Sequence, residues 1–246
     1  MIQAGRNDPC PCGNGKKFKY CYMEENSGCK KQLLEKHSLK DKEVFLFFRE
    51  VTEDIGSAFV LEKETGNDYV AQRVQLIVVF TFIDTMANYW FEYLGRKDGT
   101  PKIRFNDWCN AYCFNNKNHE YKGDFLKINA ENLYNLRSSL VHFFGLGERD
   151  TSFALMIAPN KAKDEEIDKW RKGFKKIGHD GVFIKPKQLH NFVTEGGLLM
   201  LDDMRSNIEG SGIDENKKWQ HINGIDRIYK KIMLEGAARI QLPQEK

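Results

Sequence analysis

The sequence predicts a mainly α-helical protein, a helical bundle with a small β-hairpin, preceded by a cysteine-rich amino-terminal module. Three observations lead to this prediction. Apolar residues recur every three to four positions over most of the chain after residue 40. Two short apolar runs are instead bounded by turn residues, as β-strands are. Four of the six cysteines fall within the first 29 residues. We therefore divide the chain into a module with its linker, residues 1–40, and a helical domain, residues 41–235.

The composition is that of a folded protein. Of the 246 residues, 41% are hydrophobic and 30% are charged, which is typical of globular rather than disordered chains. No apolar run approaches the roughly 18 residues that a membrane helix requires, and the first residues lack the apolar segment of a signal peptide. We expect a cytoplasmic protein without membrane contact, not a secreted precursor or a disulfide-stapled miniprotein.

The net charge of +3 is unevenly distributed along the chain. Residues 1–40 contain eight basic and four acidic residues, so the excess positive charge belongs to the amino-terminal segment. A compact group of cations favours acidic or polyanionic partners through long-range attraction. Solubility alone would also account for it.

Two long helices are predicted to open the helical domain. The spacing of apolar residues predicts the first over residues 42–63, and Gly66 follows it as a break. The second is predicted from Val70 to Leu94 and ends at Gly95. Because this second helix is apolar around nearly its whole circumference, we place it at the centre of the bundle.

Two further helices follow in the sequence. Asn106 is predicted to cap a short helix that carries Cys109 and Cys113. Their spacing of four puts both thiols on one helix face, where we expect buried packing. Asn129 opens the next helix, which is predicted to end at Gly145 or Gly147.

The predicted β-structure lies between the fourth and fifth helices. Residues 152–158 and 181–184 form the two apolar runs, which we interpret as strands of a small hairpin or sheet. The highly charged stretch 162–178 between them is expected to be a solvated helix or a mobile insertion. Helices over residues 186–208 and 214–235 complete the chain.

The amino-terminal cysteines have the spacing of metal ligands. Cys10 and Cys12 are separated by one residue, and Cys21 follows nine positions after Cys12. The intervening Gly13-Asn14-Gly15 tolerates the positive φ angles that a chain reversal needs. Zinc is the natural occupant, since it takes sulfur ligands in tetrahedral geometry, and the metal would supply most of the folding energy of so short a segment.

This segment resembles the SEC-C motif, first known as the zinc-binding tail of the preprotein translocase ATPase. Cys10, Cys12 and Cys21 match three ligands of that motif, whereas Tyr22 stands where the fourth ligand is Cys or His. Cys29 or His37 could complete the shell; otherwise the site is three-coordinate or binds no metal. The resemblance implies a structural Zn2+ site on a module that docks on protein partners or ribosomes.

A second motif lies in the helical domain. Arg137 and His142 are separated by four residues within the predicted fourth helix, and this arrangement resembles the Arg-x4–6-His motif of HEPN domains. An acidic residue on an earlier core helix is frequent in that family, and Asp84 suits the position. Ser138 stands where the family commonly has Asn or another polar residue.

The HEPN resemblance implies a metal-independent endoribonuclease, or an RNA-binding protein, that works as a homodimer, in a toxin or phage-defence role. Arg137 would bind a phosphate and His142 would transfer a proton, with Asp84 holding the arginine. Two alternatives stay open: a non-catalytic adaptor whose module docks on a protein or ribosome, and an Arg137–Asp84 ion pair that is purely structural. The remaining histidines of the domain are interpreted as surface or packing residues: His119, His179, His190 and His221.

Overall fold

The structure is a computed structural model that describes residues 28–57, 68–115, 127–143, 153–206 and 215–239. Its helices are α1 (Gly28–Ser57), α2 (Asp68–Leu94), α3 (Pro101–Trp108), α4 (Ala130–Phe143), α5 (Asp164–Lys176), α6 (Pro186–Ser206) and α7 (Glu215–Arg239). A π-helical turn, Cys109–Phe114, continues α3, and the strands are β1 (Phe153–Ile157) and β2 (Asp180–Ile184). The prediction of a mainly helical fold is confirmed.

The predicted β-hairpin is wrong, because the two strands run parallel. They pair from Phe153 opposite Asp180 to Ile157 opposite Ile184. Parallel strands cannot be joined by a tight turn; they need a crossover of about a dozen residues or more, usually a helix. The charged stretch supplies that crossover as α5, 13 residues long, so the unit is β1–α5–β2.

The start of α3 also differs from its prediction. The helix begins at Pro101, after Thr100, whose hydroxyl accepts a hydrogen bond from the amide of Ile103 at 3.4 Å. Proline is favoured at the first helical position because its missing N–H would have no partner there. Asn106 therefore lies inside the helix and does not cap it.

The two long helices follow their predictions in part. The first, α1, begins at Gly28, well before the predicted residue 42; the predicted end at residue 63 and Gly66 lie outside the described residues. The second ends at Leu94 as predicted, and Gly95 then takes a φ of +69° that favours glycine. The amide of Gly95 donates to the carbonyl of Glu92 at 3.0 Å, which closes the last turn.

The chain divides into two compact units. The first consists of Met1–Arg49, Glu92–Arg96 and Met204–Lys246, and the second consists of Glu50–Phe91 and Lys97–Asp203. In the described part of the first unit, α7 lies directly on the end of α2: a Cβ at Gly224 would come within 2.5 Å of the ring of Tyr93. Arg227 fixes the same contact, because its Nε donates to the carbonyl of Glu92 at 2.6 Å.

The second unit has α2 in its core. Buried apolar residues occur all along this helix, including Phe80, Ile83 and Met86, which agrees with its predicted central position. Helix α6 approaches it closely at Gly197, where a Cβ would lie 2.9 Å from the ring of Phe82. A smaller core joins α5 to β2, and its buried members are Ala158, Ala162, Ile167 and Phe183.

One described helical segment, Ala71–Leu94, is long and apolar enough to cross a membrane by length and composition alone. The core helix of a soluble protein passes the same test, and 56% of this stretch is buried inside the protein. It is therefore weak evidence for a membrane span.

Candidate functional site

Asp84 of α2 and Arg137 of α4 meet in the second unit. The Nε and Nη2 groups of Arg137 donate to one oxygen of Asp84, Oδ2, at 3.1 and 2.9 Å. Both side chains are partly exposed, Arg137 at 20% and Asp84 at 27%. The guanidinium has five N–H donors, so several remain for another ligand while the carboxylate holds the group in place.

The local sequence of α4 explains how Arg137 reaches this position. Asn129 and Asn132 cap the helix reciprocally, each side-chain oxygen accepting from the other residue's amide at 2.9 and 3.0 Å. Leu133 and Leu136 then bury one side of the helix. This packing fixes the rotation of α4 and thereby directs Arg137 towards α2.

An aromatic side chain supports the arginine from within its own helix. The guanidinium of Arg137 lies 5.6 Å from the ring centre of Tyr134, a cation–π contact. Tyr134 in turn packs edge-on against Phe105 of α3 at 5.4 Å. Three residues apart on a helix, Tyr134 and Arg137 share one face, so this partner could have been found from the sequence.

A buried thiol pair lies beside the carboxylate. Cys109 and Cys113 are both free and fully buried, as predicted. Burial raises the pKa of Cys109, and the neighbouring Cys113 and the negative charge of Asp84 raise it further. Cys109 is therefore an inert packing group rather than a nucleophile.

His142 lies in α4, but its side chain is outside the described residues. The structure thus brings together Asp84 and Arg137, two of the three predicted site residues. The backbone separates Arg137 and His142 by five residues, about 140° around an ideal helix. On an ideal helix, two residues with that separation do not share one face.

A second arginine, which is not among the predicted site residues, contacts the same helix one turn further on. Nη1 of Arg104 donates to Oδ1 of Asn88 at 2.8 Å, and its Nε donates to the carbonyl of Gly99 at 3.1 Å. Asn88 follows Asp84 by four residues and therefore shares its face of α2. That spacing was the available signal for a second arginine partner on this face.

The other described histidines differ in burial. His221 is 1% exposed and bridges Tyr93 and Asp41, with its ring nitrogens 2.9 Å from the hydroxyl and 3.2 Å from the carboxylate. His190 is also buried, and burial lowers its pKa. His179 is exposed, and His119 lies outside the described residues.

The predicted zinc ligands Cys10, Cys12 and Cys21 lie outside the described residues. Cys29 belongs to α1, but its side chain is not among those described, and the same holds for His37. Within the described ranges, no group of three or more His, Cys, Asp or Glu side chains is arranged to hold a metal ion.

Comparison with known proteins identifies the amino-terminal motif. A family model for the SEC-C motif matches residues 6–21. Protein translocase subunit SecA of Chloroflexus aggregans is 76% identical over 21 residues, which cover 8% of this chain and 2% of that protein. SecA of Brachyspira hyodysenteriae and of Cupriavidus necator are 68% and 73% identical over 22 residues, 9% of this chain and 2% of each relative.

These similarities concern a short segment. The chain spans about 2% of the length of the curated relatives it matches, and no solved structure matches it. What the comparisons establish is therefore a local feature: this chain carries a SEC-C motif at residues 6–21.

Proposed function

We propose that this protein is a HEPN-like RNA-binding protein and metal-independent endoribonuclease, with Arg137 and His142 at its active site and Asp84 as positioning residue. The observation that carries the proposal is the ion pair between Arg137 and Asp84, which holds a partly exposed guanidinium on a rigid helical core. A fixed guanidinium suits an anionic ligand such as a phosphodiester, because it binds phosphate oxygens bidentately.

Arg137 would act on the scissile phosphate. Cleavage begins when the ribose 2′-oxygen attacks phosphorus and a fifth oxygen joins the centre, so negative charge builds on the phosphoryl oxygens. The N–H groups of Arg137 that do not bind Asp84 would donate to those oxygens and stabilise the transition state. Because Asp84 has already fixed the guanidinium, little side-chain freedom is lost when RNA binds.

His142 would transfer the proton. In its imidazolium form it would be the general acid that protonates the departing 5′-oxygen as the P–O5′ bond breaks. The proton of the attacking 2′-hydroxyl leaves to a base, the neutral His142 of a second copy. The products are a 2′,3′-cyclic phosphate and a 5′-hydroxyl.

Arg137 and His142 are separated by about 140° around one ideal helix. A homodimer would bring Arg137 of one copy close to His142 of the other. Val74 and Ile77 of α2 are each 38% exposed, although both are apolar. Ile77 precedes Asp84 by seven residues and so lies almost in line with it along the helix. A second copy on this face would cover the apolar side chains and bring two Arg137–His142 pairs to one cleft.

The amino-terminal module would hold a structural zinc ion. Three cysteine thiolates, Cys10, Cys12 and Cys21, are a donor set that zinc prefers, and Cys29 is the fourth ligand we propose. Bound zinc would fold the segment into a basic knob, with no open position for substrate water. Its positive charge suits docking on an acidic protein or a ribosome, in the reducing cytoplasm where free thiols persist.

A second function is supported by the SEC-C match itself. The chain is 76% identical to a SecA protein over 21 residues, and the matched motif, residues 6–21, lies within the proposed docking module. In this alternative the protein is a non-catalytic adaptor: the zinc module binds a protein or ribosome, and the helical body only dimerises.

Expression in bacteria separates the two functions. A ribonuclease is expected to arrest growth and deplete cellular RNA, and His142→Ala is expected to abolish both effects while the far-UV circular dichroism stays unchanged. Cys113→Ala, at a buried site without a proposed role in cleavage, is the control that should remain toxic. Wild-type protein that folds and accumulates without RNA loss would favour the adaptor.

A further inference from the structure

The outer face of α5 carries a cluster of positive charge that the proposed active site does not use. Residues 169–176 contain five basic and no acidic side chains. Lys169, Lys172 and Lys176 are all exposed. Their spacing of three and four residues aligns them in one stripe that extends about 10 Å along the helix. In the part of the chain that the structure describes, none of these three ammonium groups is paired with a carboxylate.

The opposite side of α5 packs against β2, so the lysine stripe faces solvent. Ile167 is buried in the small core against β2, and Phe174 packs edge-on against Phe183 at 5.8 Å. Trp170 lies between the two faces: its ring contacts Phe183 at 5.9 Å, yet the residue is 40% exposed. An aromatic surface is thus held rigidly beside the lysine stripe.

Gly173 leaves open space on the exposed helix surface between the indole and the lysines. It follows Trp170 by three residues and Lys169 by four, so it is their neighbour on the helix surface. A Cβ at this position would meet no atom within 4 Å, and the backbone is helical. Neither crowding nor a positive φ therefore requires glycine, although glycine inside a helix is unfavourable relative to alanine.

We propose that this face of α5 binds single-stranded RNA. The lysine stripe, Lys169, Lys172 and Lys176, would neutralise phosphates, and one base would occupy the open space at Gly173 and stack on Trp170. Cationic grooves with aromatic platforms are the general means of binding single strands without sequence preference. Lysines near the end of a helix also complement its dipole, but that role explains neither the exposed indole nor the open space at Gly173.

The choice of RNA among polyanions rests on the proposed function, whereas the binding site itself does not depend on cleavage. Binding is therefore measured with full-length protein carrying Arg137→Ala and His142→Ala, which removes cleavage. The probes are a fluorescent single-stranded oligoribonucleotide and heparin, a polyanion that has no bases. If the wild-type protein does not cleave RNA but RNA still binds at α5, the proposed function is overturned and the binding site is not.

Three substitutions test the site separately. Trp170→Leu keeps apolar cover over Phe183 and is expected to weaken RNA binding about tenfold, with no effect on heparin. Gly173→Leu fills the open space with a better helix former, so we expect weaker RNA binding at equal or higher thermal stability. Replacing the three stripe lysines with glutamine should reduce the slope of log affinity against log salt by about 2.

The matched control replaces three lysines of α7, Lys217, Lys218 and Lys230, with glutamine. This control changes the net charge by the same amount as the stripe substitutions. It should leave most of the slope of log affinity against log salt unchanged. RNA affinity unchanged by Trp170→Leu and Gly173→Leu, or an equal loss of affinity in the α7 control, would overturn the proposal, since the stripe would then be only a solvated helix face.

Discussion

The contact between Arg137 and Asp84 shows how a single side chain is both fixed and accessible. Two hydrogen bonds hold one edge of the guanidinium, and Tyr134 supports its face at 5.6 Å. The residue types and the helices that carry them were predictable from the sequence. The contact itself was expected only from the HEPN resemblance, because residue spacing alone does not give the rotation of α4, which the packing of Leu133 and Leu136 sets.

The strength of this ion pair is measurable by a double-mutant cycle. We expect Asp84→Ala and Arg137→Ala to be coupled by about 1–3 kcal/mol in the free energy of unfolding, because the pair is partly desolvated and hydrogen-bonded twice. Urea denaturation of the four proteins gives the coupling. Additive effects of the two substitutions would mean that the pair does not hold the guanidinium in solution.

His190 makes stability depend on pH. Burial lowers its pKa from the ordinary value of 6.5; nearby Lys187 lowers it further, and the hydrogen bond with Asn191 opposes the shift. Because the unfolded chain binds this proton more readily, the contribution of His190 is complete above pH 6.5 and is lost as the pH falls towards the folded-state pKa.

We therefore expect the thermal midpoint of the wild type to fall more steeply than that of His190→Gln between pH 7.5 and about pH 5. Comparing the two proteins cancels the other titrating groups. Parallel curves over that range would show that His190 titrates equally in both states.

Among the helices, two glycines in equivalent secondary structure have opposite surroundings. A Cβ at Gly196 of α6 would lie 2.6 Å from the sulfur of Cys113, whereas one at Gly173 of α5 would meet nothing within 4 Å. Gly196 permits a close approach between α6 and the π-helical turn. Gly173 imposes only the entropic cost of glycine.

Alanine substitutions at the two positions should thus change the stability of the protein in opposite directions. We expect Gly196→Ala to destabilise the protein by about 1–3 kcal/mol through overpacking, and Gly173→Ala to stabilise it by up to about 1 kcal/mol. Equilibrium denaturation of both variants measures this, and each serves as the other's control. Stabilisation by Gly196→Ala would contradict the close contact.

The two strands were predictable from the sequence, but their relative direction was not predicted correctly. Both apolar runs were identified, but the runs themselves contain nothing that distinguishes a hairpin from a parallel pair. The helical pattern of α5 between them was the informative feature. A helix of 13 residues is long enough to bring the chain back to the end of the sheet where β1 begins, so that β2 runs parallel to β1. Likewise, Thr100-Pro101 was a stronger helix start than Asn106, because Pro at the first position joins a side-chain cap.

At the scale of the whole molecule, the chain joins a SEC-C motif to a mainly helical body. We expect the purified full-length protein to contain about one zinc ion per chain, and Cys21→Ser and Cys29→Ser to lose it. Elemental analysis by mass spectrometry measures the metal, and Cys109→Ser, which alters a buried thiol of the helical body, should retain it. Zinc kept by Cys29→Ser but lost in His37→Ala would reassign the fourth ligand.

The measurement that tests the central claim most directly is cleavage of a defined oligoribonucleotide without added divalent metal, followed by analysis of the new ends. We expect the wild type to produce 2′,3′-cyclic phosphate and 5′-hydroxyl ends. His142→Ala and Arg137→Ala, shown to be folded, should be slower by about a hundredfold or more. Cleavage that persists in both variants, or its absence in the folded wild type, would contradict the assignment of these residues.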